Sequence, residues 1–476
     1  MPLEYRIFCV SLHNKNKTES SEMKLSLRFA LIMLTSLFCF QCFAQNQNWR
    51  EKYQVKKKDT LYGIAKKYNI SVDALIEANP EMKVDGFELK KGSYVFIPST
   101  SAATSGQAAG KPVRTTIQTA KLPFSGKTVK VGVMLPLHNV DGDGRRMTEF
   151  YRGMLISCDS LRAEGMSIDI HAWNVNIDAD ITNFTKQPGA SKCDIIFGPL
   201  YSKQVHALAE FCKAHDIQMV IPFSITGDDV SMYKQIFQVY QTNDRQTNNS
   251  IETFLKLFKN CHPVFIDCND KTSTKGNFTF GLRTRLESHN IGYGITNIGS
   301  SDDVFAKQFS SSQQNIVILN TGRSPELTSA LNKLAIMKAA RPDLKIKLYG
   351  YTEWMMYLGI DEAKFHEFDT YIPSTFYYNP ACPRTQSLSR VYRQWFKQDM
   401  QYALPRFALT GYDYAQFFLR GYAKFGKAFR GTKSQNTWKA VQAPLQFKQV
   451  GTAGMQNDFF QLIHFMPNGN VEAISY

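Results

Sequence analysis

Residues 193–224, CDIIFGPLYSKQVHALAEFCKAHDIQMVIPFS, constrain this chain more than any other stretch. Asp194-Ile195-Ile196-Phe197 is a short apolar run that stops at Gly198-Pro199, a strong punctuator of secondary structure. Ser202 then stands where a helix N-cap belongs. Val205, Leu208, Ala209, Phe211 and Cys212 recur at helical spacing. His215-Asp216 closes the helix, and Met219-Val220-Ile221 is a second buried strand ended by Pro222. Strand, helix and strand within roughly 30 residues make a βαβ unit with parallel strands and a right-handed crossover. Ligands of such sheets sit beyond the carboxyl ends of the strands. Those ends carry Tyr201 and Ser202, then Ser224 and Thr226, which makes these four the first pocket candidates.

The same stretch resembles the core of the type I periplasmic binding proteins, two-lobed receptors of transport and sensing systems. Their recurrent line is an apolar strand, G-P, a Ser-bearing loop, an apolar helix and P-x-I-S-P. The rest of the chain follows the resemblance in order. VKVGVMLPL (129–137) reads as a first strand, and a ligand-facing loop, 138–144, follows it. A helix is predicted over 151–164 (Met154, Leu155, Cys158, Leu161) and a strand over 168–175. Phe237-Gln238-Val239-Tyr240 reads as a crossing to the second lobe. There helices are predicted at 251–258, 280–288 and 327–338, with strands HPVFID, NIVILN and KIKLYGY. LPRFALTGYDYAQFFLRGYAKFG resembles the family's A-x-x-G-Y-D-A helix. GMQNDFFQLIHFMPNGNVEA resembles its closing hairpin, with Pro467-Asn468-Gly469 as the turn.

The resemblance implies an α/β fold in which residues 128–476 form a two-lobed, doubly wound parallel-sheet (Venus-flytrap) domain. Lobe 1 is expected at about 128–240 and 374–442, and lobe 2 at about 241–373 and 443–476. It also implies a ligand held between lobes that close about a hinge. His138, Tyr201, Ser202, Ser224 and Thr226 would face it from the first lobe, and Tyr351, Thr352 and Glu353 from the second. In amino-acid-binding members, hydroxyls and helix N-terminal amides hold the carboxylate, and an acidic residue, here Glu353, would hold the ammonium. The loop after Pro222 departs from the usual Ser/Thr-rich pattern by running into Gly227-Asp228-Asp229.

Ahead of this body lies YQVKKKDTLYGIAKKYNISVDALIEANPEMKVDGFELKKGSYVFIPS, beginning at Tyr53. Tyr53-Gln54-Val55 reads as a strand. Asp59 or Thr60 caps a helix with Leu61, Ile64, Ala65 and Tyr68 on its apolar face. Ser71 caps a second helix through Val72, Leu75 and Ile76, and 89–98 forms a closing strand. The motifs D-T-L-x-x-I-A, N-P and L-x-x-G-x-x-x-x-I-P identify residues 52–98 as similar to a LysM domain, a small β-α-α-β module. The resemblance implies binding to N-acetylglucosamine-containing polymers, peptidoglycan in bacteria. The glycan groove would lie between Asp59-Thr60-Leu61 and Val84-Asp85-Gly86.

Met23-Lys24 opens an export signal: Lys24 and Arg28 form the basic region, 29–40 the apolar region, and cleavage is expected after about Ala44. Residues 1–22 read as an upstream extension ahead of the true start. The Gly/Ala/Ser/Thr-rich stretch 99–127 is a flexible linker with a reach of roughly 25–30 Å. The expected location is therefore the periplasm or cell envelope. Beyond the leader region six cysteines remain, with no C-x-x-C pair, and buried free thiols are expected. Cys261 and Cys268 flank a predicted strand whose ends lie roughly 20 Å apart, too far to bridge.

The formal net charge is +15. These charges are loosely spread, the longest run being Lys56-Lys57-Lys58, so a nucleic-acid partner is not expected. No G-x-S-x-G, H-E-x-x-H or P-loop occurs, and no catalytic residue, metal or cofactor is expected. Three readings follow. The chain is a peptidoglycan-tethered binding protein for a small solute, amino-acid-like if it follows the transport receptors. Or it is a ligand-free regulatory scaffold for a membrane or cell-wall enzyme, resembling activators of peptidoglycan synthases that also carry a type I binding-protein domain. The third and least favoured is a wall hydrolase.

Overall fold

The computed structural model describes residues 49–57, 59–68, 70, 72, 75, 79, 89, 94–98, 126–223 and 227–476. The chain divides into two compact units, 1–116 and 117–476.

In the first unit, β1 (Trp49–Gln54) pairs antiparallel with β2 (Tyr94–Pro98), and α1 (Leu61–Lys67) lies between them in sequence. The Thr60 hydroxyl caps α1 by accepting from the Gly63 N–H at 3.0 Å. This satisfies one of the free amides of the first turn. Tyr53, Val55, Ile64, Ala65, Leu75, Val95 and Ile97 form the core, with Leu61 packed against it. Most of the second expected helix and the Val84-Asp85-Gly86 loop fall outside the described residues.

The strands of the second unit are β3 (Val129–Leu135), β4 (Ile168–Asn174), β5 (Ile195–Phe197), β6 (Gln218–Ile221), β7 (Ile236–Gln238), β8 (His262–Asp267), β9 (Gly294–Asn297), β10 (Asn315–Leu319), β11 (Ile346–Tyr349), β12 (Thr370–Ser374), β13 (Phe447–Gln449), β14 (Met455–Asn457), β15 (Gln461–Phe465) and β16 (Val471–Ser475). The longer helices are α2 (Gly142–Ala163), α3 (Val205–Ala214), α4 (Asn243–Leu257), α5 (Gly276–Ser288), α6 (Glu326–Ala340), α7 (Leu358–Glu367), α8 (Pro383–Phe396) and α9 (Phe407–Phe425).

These strands build two seven-stranded sheets, ordered β13-β14-β7-β6-β5-β3-β4 and β16-β15-β12-β11-β10-β8-β9. Pairing is parallel from β14 through β7, β6, β5 and β3 to β4. It is likewise parallel from β12 through β11, β10 and β8 to β9. The antiparallel pairs lie at one edge of each sheet. Central strands covered on both faces read as continuous Val/Ile runs, which is why β5, β6 and β10 are fully buried. The two-lobed, doubly wound α/β class expected from the sequence is the fold of this unit.

Three details depart from expectation. Helix α2 begins at Gly142, not 151, because Asp141 caps it and accepts from the Gly144 N–H at 2.7 Å. The polar first turn has no apolar periodicity to announce it. Ser202 is not the cap of α3; it opens a 3-10 turn (Ser202–Gln204) that leads into the helix at Val205. Finally, the last crossing falls at about 458–460, not at 442, because β13 and β14 belong to the first sheet, β14 pairing with β7. Met455-Gln456-Asn457 is polar in sequence yet buried. Its amide Gln456 Nε2 donates to the Gln238 and Tyr240 carbonyls at 3.2 and 3.0 Å.

Helix α9 is buried along almost its whole length and crosses α2 with backbone against backbone. A Cβ on Gly411 would stand 1.9 Å from the Phe150 carbonyl oxygen, and one on Gly153 1.8 Å from that of Ala408. Only glycine permits this approach. Replacing Gly411 with alanine is therefore expected to force the helices apart, at a cost of about 1–3 kcal/mol. Urea unfolding followed by circular dichroism measures it, and an unchanged midpoint would contradict the contact.

All six described cysteines are free: Cys158, Cys193, Cys212 and Cys268 are buried, Cys261 and Cys382 partly so. Burial pushes the thiols of Cys158, Cys193 and Cys268 up, to about 11, 12 and 12. Cys382 alone is held below the ordinary value, first by the Thr385 N–H and also by that of Arg384 at the start of α8. Thiolate is the reactive form. Cys382 is thus expected to be alkylated first by iodoacetamide at neutral pH, read by peptide mass spectrometry against Cys382→Ser.

Candidate functional site

The two sheets enclose a cavity of about 670 Å³, within the 300–1,000 Å³ range of ligand pockets. It sits where the chain passes from one lobe to the other. Its walls come from the ends of β6, β7, β11 and β12, the first turns of α4, α5 and α9, and the returning segment 443–445.

The wall from the first lobe is mainly apolar, with Thr410 and Asn457 also lining it. Phe223 and Phe407 meet with ring centroids 5.7 Å apart, and Leu404, Pro405, Tyr414 and Leu445 extend the surface. Burial raises the Tyr414 phenol well above its ordinary range, so it remains protonated. Asp413, one residue along α9, holds this wall in place. Its Oδ1 accepts from Trp438 Nε1 at 3.1 Å and the Val441 N–H at 2.8 Å. Its Oδ2 accepts from the Gln442 and Ala443 N–H groups at 2.7 and 2.9 Å. This carboxylate is 1% exposed, and such a group is tolerated in a core only when its oxygens are this fully bonded.

The second-lobe wall carries the cavity's charged side chains and several neutral polar ones, alongside Phe278 and Met356. Asn243, Gln246 and Thr247 lie on one face of the first turns of α4, and Thr274 and Asn277 flank the start of α5. Lys275 Nζ meets Glu353 Oε1 at 2.5 Å and stands 4.7 Å from the centre of the Tyr351 ring. The Tyr351 hydroxyl donates to the Leu319 carbonyl at 2.7 Å. Burial raises its pKa far above the ordinary value, with Cys268 and Glu353 adding to the shift. Thr352 Oγ1 donates to the Pro373 carbonyl at 2.7 Å.

The site candidates read from the sequence therefore divide. Tyr351, Thr352 and Glu353 line the cavity together. His138, Tyr201 and Ser202 do not. The Tyr201 hydroxyl turns to Asp143 Oδ2 at 3.5 Å in the first turn of α2, and burial together with Asp143 and Asp141 raises its pKa to about 12. The His138 ring lies against Gly144, its Nδ1 accepting from the Val140 N–H at 3.4 Å. Ser224 and Thr226 lie outside the described residues, next to the lining pair Pro222-Phe223. The wall formed by 404–407 and 443–445 was missed in the sequence. It is contributed by segments far along the chain, and only the GYD motif at 411–413 hinted at its anchor.

In the first unit, the Asp59 carboxylate accepts from Tyr53 Oη at 2.8 Å and from the Lys56 N–H at 2.7 Å. The Lys56 N–H and then the Tyr53 hydroxyl hold its pKa below the ordinary value. Asp59 and Thr60 thus shape their loop through their side chains, while the Asp59 N–H donates to the Lys56 carbonyl at 3.2 Å and the Thr60 carbonyl accepts from the Ile64 N–H at 2.9 Å.

The comparisons fall into the same two parts. The family model for the LysM domain matches residues 53–98. Residues 53–98 are a LysM domain. No curated protein matches the chain by sequence. Among solved structures, a branched-chain amino acid ABC transporter protein from Rhodospirillum rubrum is similar at 15% identity and TM-score 0.48, covering 73% of this chain and 100% of that one. An ABC transporter substrate-binding protein from Desulfitobacterium hafniense in complex with Leu gives 15% identity and TM-score 0.41, with 73% and 100% covered. LpoA from Haemophilus influenzae gives 12% and 0.47, with 74% of this chain and 59% of that one covered. No described helix is long and apolar enough to cross a membrane.

The lobes are tied at the last crossing. Arg245 Nε and Nη2, on α4, donate to Asp458 Oδ1 at 2.9 and 2.6 Å. Lys448, on β13, pairs with Asp458 Oδ2. Gln241 Nε2 donates to the Phe459 carbonyl at 2.7 Å. Burial pushes the Asp458 carboxyl up, but Lys448 and Arg245 outweigh it and hold the carboxyl below its ordinary value. A depressed folded-state pKa contributes stability above the unfolded value of about 4 and loses it as pH falls through the folded value. Asp458→Asn is expected to be less stable than the parent chain at pH 6, by about 1.5–3 kcal/mol, with a smaller gap at about pH 3, below the unfolded value. Urea titrations at both pH values measure this.

Proposed function

We propose that this chain is an exported, glycan-anchored binding protein. Its LysM domain holds N-acetylglucosamine-containing wall polymer, and its two-lobed body takes a small solute in the cavity between the lobes. The observation that carries this reading is a LysM domain on the same chain as an inter-lobe cavity of about 670 Å³. In the LysM domain, the Asp59-Thr60-Leu61 and Val84-Asp85-Gly86 loops are the proposed sugar contacts. In the body, Tyr351, Thr352 and Glu353 are the proposed ligand-facing residues of the second lobe, and Ser224 and Thr226 are proposed for the first. The basic, apolar and small-residue pattern of 23–44 supports export to the envelope. Hinge closure of the lobes would bury the solute. Peptidoglycan is the proposed macromolecular partner, and no catalytic role is assigned.

A second reading keeps the anchor but makes the body a docking scaffold for a cell-wall or membrane enzyme. The Lys275–Glu353 pair favours it, because the acidic group that would receive an ammonium already has a partner. A thermal-shift screen of the full chain against amino acids, sugars and muropeptides separates the two. A ligand at 100 times its Kd stabilises the folded state by about 2.7 kcal/mol. The receptor reading predicts a raised midpoint with one chemical class. The absence of any shift in a cooperatively unfolding chain would leave the scaffold. Sedimentation with insoluble peptidoglycan is expected to carry the chain down, and recovery in the supernatant would contradict the anchor.

A further inference from the structure

The cavity walls narrow the chemistry of the solute, an inference that rests on the receptor reading above. Both charges in the polar wall, Lys275 and Glu353, satisfy each other at 2.5 Å. The remaining polar groups there are neutral. The side chains of Asn243, Thr247, Thr274 and Asn277 line the cavity and make no hydrogen bond to the described residues. These are amides and hydroxyls, each able to donate and accept, on the second lobe; on the first lobe, Thr410 and Asn457 also line the cavity, with their side-chain oxygens bonded internally. The facing wall is Phe223, Phe407, Leu404, Pro405, Tyr414 and Leu445.

A free amino acid needs donors for its carboxylate, which hydroxyls and helix N-terminal amides supply, and a negative group for its ammonium. Binding one here requires opening the Lys275–Glu353 pair to free the carboxylate for the ammonium, which leaves Lys275 without its partner. A neutral molecule with one apolar face and one edge of hydroxyls and amides meets both walls without that cost. A pyranose ring has this shape: its C–H face lies on aromatic and apolar side chains, and its hydroxyls and acetamido group reach neutral donors and acceptors. Tyr402, two residues before the lining Leu404, is 90% exposed. The Arg406 guanidinium stands 4.6 Å from its ring centre and 4.9 Å from that of Tyr378. This cation thus holds two tyrosine rings that lie near the lining residues Phe376 and Leu404 in sequence.

We propose that the inter-lobe cavity binds a neutral, N-acetylated saccharide, with its hydroxyl and acetamido edge on Asn243, Thr247 and Asn277 and its apolar face on Phe223 and Phe407. Such a ligand is a soluble fragment of the same class of polymer that the LysM domain is proposed to hold.

The test is hydrogen–deuterium exchange of the full chain with N,N′-diacetylchitobiose, and separately with leucine. It locates binding by peptide and so keeps the LysM domain and the body apart. The proposal predicts slower exchange in peptides covering 243–250 and 274–280 with the disaccharide and no change there with leucine. Protection by the disaccharide confined to 53–98 overturns it. Protection of the body by leucine overturns it too, while leaving the receptor reading intact. If neither probe protects the body, the inference falls, and the screen with other solutes then decides the receptor reading separately. Asn243 and Asn277 are exposed and make no internal bonds, so N243A/N277A will fold. Loss of two neutral hydrogen bonds is expected to weaken disaccharide binding to the body about tenfold, while binding at 53–98 is unchanged. Equal affinity in the double variant overturns the assignment of these two side chains.

Discussion

The Asp413 carboxylate is the interaction on which the rest of the body depends. A buried carboxylate is among the most costly groups to place in a core. Here four N–H donors converge on its two oxygens, three of them from the backbone of 441–443. These bonds fix the returning chain onto α9. The close approach of Gly411 and Gly153 fixes α9 onto α2, and α2 packs against the first sheet. The G-Y-D motif therefore has a mechanical reading. Its glycine sets the distance between two helices, and its aspartate sets the path of a segment almost 30 residues further on.

That arrangement also makes the site. Thr410 and Tyr414 face the cavity from α9, and Ala443-Pro444-Leu445 face it from the segment that Asp413 holds. The apolar wall is thus a by-product of the helix anchor. The polar wall is carried by the starts of α4 and α5 and the end of β11, in the other lobe. Arg245 and Lys448, on opposite sides of the last crossing, share Asp458, so the lobes are joined by charge as well as by chain. A cavity with its two kinds of surface on two separate bodies can change width without changing the chemistry of either face.

Much of this was legible in the sequence. Buried parallel strands announce themselves as apolar runs, so β3, β5, β6, β8, β10 and β11 were read within a few residues. The LysM domain was read from motif spacing alone. Polar elements defeated the reading. The first turn of α2 depends on the Asp141 cap, which carries no periodicity. β14 is a buried polar strand whose Gln456 amide donates to the carbonyls of Gln238, in β7, and Tyr240, just after it, and its side chains gave no sign of burial. At the site, Tyr351-Thr352-Glu353 follow directly from the end of a recognisable strand. His138 and Tyr201 also follow strands, but tertiary contacts with the first turn of α2 turn them elsewhere. Phe407 and Leu445 could not be paired from the sequence, because their proximity depends on a long-range contact between α9 and the returning chain.

The most direct measurement is amide hydrogen exchange at Val441, Gln442 and Ala443 in Asp413→Ala. If the carboxylate is the anchor, these amides lose their acceptor and exchange orders of magnitude faster than in the parent chain, while those of β5 and β10 stay protected. If 441–443 stay as protected as before, the segment is held by something else, and the account of both the fold and the apolar wall is wrong.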